Sequence, residues 1–94
     1  MQTFLVERVR PAALRVDDLD NIALPCRWDT EAYRDVGAVW LGGVVTSKRM
    51  VSLVVAGSDA DLQRYRTKIG VGPDEAWLSR VVRMLGPYFA APRP

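Results

Sequence analysis

Two stretches, Ala38 to Thr46 (AVWLGGVVT) and Met50 to Ala56 (MVSLVVA), are apolar at nearly every position, and only Ser47, Lys48 and Arg49 separate them. A strand sends successive side chains to opposite faces, so a one-sided sheet alternates apolar with polar, whereas continuous Val, Leu and Trp asks for both faces to leave water. The chain has 94 residues, enough for one domain. Helices in so short a chain can cover only one face of the hairpin. The other face calls for a second sheet, most simply that of an identical subunit, and a homodimer through sheet faces is the expectation.

The remaining elements follow from periodicity and stop signals. Gln2 to Val9 reads as a strand with mostly apolar sides, ended by Pro11, which cannot donate to a ladder. From Asp17 to Val36, apolar residues at Leu19, Ile22, Cys26, Tyr33 and Val36 fall near helical spacing, with Asp17 or Asp18 as N-cap and Gly37 as stop. Pro25 inside this run predicts a kink or a restart just before Cys26. Ser58-Asp-Ala-Asp61 resembles a capping box, Leu62, Tyr65 and Ile69 form one apolar stripe, and Gly70 ends that helix. For Pro73 to Leu85 periodicity alone favours one long helix. The competing reading is a helical turn over Pro73 to Trp77 and a strand over Ser79 to Leu85, which completes a split βαβ, ferredoxin-like plan and is preferred. Residues 1–90 are read as a single domain and 91–94 as a frayed tail.

Composition removes several function classes. There is no histidine and one cysteine, Cys26, so a Ser/His/Asp hydrolase is excluded and no internal disulfide can form. The net charge of +2 comes from interspersed signs rather than a basic stripe, which argues against nucleic acid as a partner. No apolar run approaches the ~18 residues of a membrane span, and Glu7 and Arg8 interrupt any leader-like segment. The expectation is a cytoplasmic protein with no membrane partner and no cofactor.

Four stretches, Phe4 to Arg8 (FLVER), Gly37 to Leu41 (GAVWL), Ser58 to Arg64 (SDADLQR) and Arg80 to Phe89 (RVVRMLGPYF), occur in an order and spacing that resemble a family of short bacterial ferredoxin-like proteins of unknown function, some of whose relatives bind nickel. The resemblance implies an α+β fold, βαββαβ with a four-stranded antiparallel sheet, paired as a dimeric α+β barrel, and it favours the strand reading of Arg80 to Leu85. It also raises nickel. Without histidine, Cys26 and Glu7 are the only pair to offer, and a lone cysteine on an apolar helical face reads first as a small buried hydrophobe.

Glu7 is the sharpest chemical candidate, because it stands between Leu5 and Val9 on a sheet face expected to be covered. Either it pairs with Arg80 or Arg83, or it is a desolvated carboxylate able to act as acid or base. Trp28, Tyr33, Trp40 and Tyr65 read either as core or as walls of a slot for a flat ligand, with Ser52 and Arg83 as polar positioners. Gly42-Gly43 reads as a bulge, or as space for a ligand to approach the backbone. The catalytic candidates are thus Glu7 and Tyr33, and the ligand-binding candidates are Cys26, Trp28, Trp40, Ser52, Tyr65 and Arg83. The corresponding function is a small-molecule-binding dimeric barrel, either binding only or acting as a cofactor-free cyclase, isomerase or monooxygenase on a polycyclic or phenolic metabolite. The alternatives are a non-catalytic interaction or accessory protein and a nickel-binding protein.

Overall fold

The computed structural model describes residues 1–11, 14 and 19–85, and in the first helix the side chains from Cys26 onward. Six elements follow one another: β1 (Gln2–Val9), α1 (Leu19–Asp35), β2 (Val39–Val45), β3 (Arg49–Ala56), α2 (Asp59–Ile69) and β4 (Ala76–Arg80). The strands form one sheet in the order β2-β3-β1-β4 with every neighbouring pair antiparallel. This is the βαββαβ arrangement of a ferredoxin-like fold. The expected barrel is not formed: the sheet is open, with β2 and β4 as its edge strands.

Alternation along the strands divides the sheet into two unlike faces. Phe4 and Val6 of β1, Ser52, Val54 and Ala56 of β3 and Ala76 of β4 are buried, and with Tyr33, Val36, Ala38, Leu62 and Tyr65 they make up the core between sheet and helices. Each fully buried Val or Leu in such a core contributes about 1.5–3 kcal/mol. The other face carries Leu5, Glu7, Val39, Val44, Val51, Leu53, Val55 and Trp77, in register across all four strands. Among the described residues no element packs over it.

The strand expected over Ser79 to Leu85 starts three residues earlier, at Ala76, and a tight turn at Pro73–Glu75 replaces the helical turn. The partner strand sets this length. Arg80 lies opposite Phe4 and the Val81 N–H bonds the Thr3 carbonyl, after which β1 has almost no backbone left to pair. The helix α1 runs through Pro25 without a restart, since one missing N–H removes a single ladder bond. Its proposed caps, Asp17 and Asp18, lie outside the described residues. At its other end Gly37 takes φ 80°, and its N–H bonds the Arg34 carbonyl. Gly70 ends α2 in the same left-handed conformation, with φ 75°, and α2 has acidic Asp59 and Asp61 in its first turn and basic Arg66 and Lys68 in its last. Ser58 is extended at the N-cap but its hydroxyl makes no capping bond, so the predicted capping box is absent.

Gly42 and Gly43 make a bulge. The register between β2 and β3 shifts between Trp40 and Gly42, which takes φ 141°. A Cβ on Gly43 would lie 2.4 Å from the Val51 carbonyl oxygen and 3.2 Å from the Ser52 Cα. The pair therefore serves close approach of β2 to β3 rather than room for a ligand. Because a bulge adds one residue, Val39 and Val44 share the open face despite their odd separation.

Candidate functional site

Polar chemistry gathers in two places, on opposite sides of the sheet. The first lies under the helices. Arg8 follows Phe4 and Val6 in the inward phase of β1, and Asp29 stands one turn before Tyr33 on α1, so both side chains enter the core with Tyr65 of α2. The Tyr65 hydroxyl donates to Asp29 Oδ1 at 2.8 Å, Arg8 Nη1 donates to the Tyr65 oxygen at 3.3 Å, and Arg8 Nη1 stands 3.6 Å from Asp29 Oδ1. Tyr33 and Tyr65 stack with centroids 3.8 Å apart and rings 7° from parallel. Burial pushes the Tyr33 hydroxyl pKa up to about 12, and it pushes that of Tyr65 higher still, with Tyr33 and the Asp29 carboxylate adding to the effect. Among the described residues, the buried Arg8 Nε, Tyr33 hydroxyl and Trp40 indole nitrogen have no hydrogen-bond partner. The cluster ties β1, α1 and α2 together where the two helices meet over the sheet.

The second place is the open face. Glu7 lies between Val51 of β3 and Trp77 of β4, and the Arg49 guanidinium sits 5.0 Å from the centre of the Trp77 ring. Trp77 is 39% exposed, Val39 53% and Val44 63%, so the apolar surface here is accessible rather than covered.

The structure brings some of the predicted site residues together and separates others. Cys26, Trp40 and Ser52 line one cleft of about 200 Å³, with Asp29 and Met50. Small-molecule pockets usually measure about 300–1,000 Å³, and this one is smaller. Of the larger grooves, those of about 740 and 500 Å³ contain none of the predicted residues and that of about 410 Å³ contains Trp28 alone. Trp28 is 72% exposed and shares its groove with none of the other candidates. Tyr33 and Tyr65 spend their faces on each other. Glu7 is on the opposite side of the sheet from Tyr33, so the two catalytic candidates do not converge. Arg80 lies opposite Phe4 on the helix side and Arg83 is exposed beyond the end of β4, and neither pairs with Glu7. These placements overturn the reading as a cyclase, isomerase or monooxygenase with Glu7 as acid or base.

Nickel fails on its own terms, because among the described residues no group of three or more His, Cys, Asp or Glu could hold a metal ion. Among them, too, no helix is long and apolar enough to cross a membrane. No protein-family model, curated protein or solved structure matches this chain. The family resemblance is thus not upheld, and what stands of it is the ferredoxin-like topology of the sheet.

Asp29 and Arg8 were not among the predicted site residues, and neither were Arg49 and Trp77. Arg8 had a signal: it is the one charge in phase with Phe4 and Val6. Trp77 had none, since its meaning depends on which residue of β1 it faces.

Proposed function

We propose that the protein is an interaction module that associates with a second copy of itself through the open face of its sheet, as two open sheets packed face to face. One observation carries the reading: Leu5, Val39, Val44, Val51, Leu53, Val55 and Trp77 form a continuous apolar surface across four strands with no described element over it. Four strands ~4.8 Å apart and five to eight residues long at ~3.3 Å per residue give a face on the order of 400 Å² in projection. A monomer rarely leaves an apolar patch of more than a few hundred Å² in water, and a stable interface removes about 800 Å² of accessible surface per partner. A flat sheet face with its side chains standing up is the shape that a second such face fits, at the ~10 Å spacing of packed sheets.

Sedimentation velocity at micromolar concentration tests this. The expected result is a species of twice the chain mass, converted to monomer by Leu53→Glu, which sets a charge in the middle of the face without touching the core. A wild-type chain that sediments as a monomer at these concentrations overturns the reading.

A further inference from the structure

Among the described residues the open face carries two charges, of opposite sign, in a field that is apolar apart from the hydroxyls of Thr3 and Ser79. Glu7 sits on β1 opposite Val51, and Arg49 stands two residues before Val51 on β3, so the two are diagonal neighbours on one face. They nevertheless form no ion pair with each other: the guanidinium lies over the Trp77 ring instead, and among the described residues the carboxylate is flanked by Val51 and Trp77 with no cation paired to it. Covering this face with apolar side chains alone would strand a carboxylate, which is strongly unfavourable unless a cation meets it. A two-fold interface places each residue against the same set from the other copy, so one acidic and one basic group on a patch give two reciprocal pairs for a single self-complementary surface.

We infer that Glu7 of one protomer pairs with Arg49 of the other across the interface, and that this double pair fixes the orientation of the two sheets. The inference rests on the self-association proposed above. Arg suits the role, since its planar guanidinium can stack on Trp77 with one face while its edge donates to a carboxylate. Apolar contact between flat sheets is tolerant of rotation, so without the charges the same surface would pack in several orientations. Glu7 thus becomes a specificity residue of the interface rather than an acid or base.

Charge reversal with mixing tests the pairing. Glu7→Arg alone sets two arginines against each other in a homodimer, and Arg49→Glu alone sets two glutamates. Each single variant is expected to self-associate at least ~10-fold more weakly than wild type by sedimentation equilibrium. Mixed in equal amounts, one copy supplies Arg at position 7 against Glu at position 49, the other keeps the native Glu7–Arg49 pair, and a heterodimer of near wild-type affinity is expected. Restoration on mixing also shows that both variants are folded, and circular dichroism of each alone checks this independently. If wild type dimerises but the single variants do so equally well, or if weakened variants fail to rescue each other, the pairing is overturned while self-association stands. If wild type is monomeric, the underlying proposal falls, and the pairing with it.

Discussion

Removing the Tyr65 hydroxyl takes from the buried Asp29 carboxylate the donor that sits 2.8 Å away, and Asp29 still keeps Arg8 nearby. Tyr65→Phe is therefore expected to lower stability by about 1–2 kcal/mol in urea denaturation. Asp29→Ala goes further, because it leaves the mostly buried Arg8 guanidinium without its counter-charge, and about 3–5 kcal/mol is expected. Equal losses for the two variants would show that Arg8 finds another partner. The stacked tyrosines give a pH signature as well. Burial raises the folded pKa of Tyr33 to about 12, against ~10 in an unfolded chain. A folded form that holds its proton more tightly keeps its full stability below pH ~10 and loses it as pH rises through the folded value. Following tyrosinate absorbance alongside circular dichroism should show Tyr33 resisting ionisation until about pH 12, with the melting temperature already falling from pH ~10 upward. Ionisation of all tyrosines near pH 10 in the folded chain would contradict the buried stack.

At the scale of elements, the bulge in β2 makes the clearest prediction. Gly43→Ala would press a methyl group against the Val51 carbonyl, which belongs to the ladder itself, and β2 can relieve this only by leaving β3. The variant is expected to lose roughly 1–3 kcal/mol, with amide exchange rising first along Val39–Val45. Gly42→Ala meets no neighbouring atom but must adopt φ 141°, so it is strained for a different reason. A Gly43→Ala chain as stable as wild type would show that the two strands are not held at this spacing. The fate of β4 belongs to the same scale. Periodicity over Trp77, Leu78, Val81, Val82 and Leu85 admits a helix, and the structure makes a short strand there because β1 offers an unpaired edge that ends near Thr3. Backbone hydrogen bonding to a neighbour outweighed the local pattern, as it often does for short apolar runs.

For the whole molecule, one sheet packs its even-numbered β3 residues against two helices and leaves its odd-numbered ones half-covered on the other side. If that second face associates as proposed, folding and association are linked, and the melting temperature should rise with protein concentration over the micromolar range. A melting temperature independent of concentration would count against it. The element order was legible in the sequence, because strand, helix, hairpin and second helix each have a period and a stop: Pro11, Gly37, the Ser47–Arg49 turn and Gly70 mark where they end. The candidate site was not. Glu7 was singled out as a carboxylate on a sheet face expected to be covered, and that face is open; its expected partners Arg80 and Arg83 depended on where β4 begins, and a shift of three residues put Trp77 beside it instead. Tyr33 and Tyr65 were read as walls of a slot, and only the packing of α1 on α2 turned them face to face. What the sequence determined by itself was the set of elements and the presence of a sheet apolar on both sides, since these depend on neighbours along the chain. Register, the open rather than closed sheet and the division of charge between its two faces were decided by tertiary structure, because they depend on which backbone a strand finds to pair with, and no local pattern carries that.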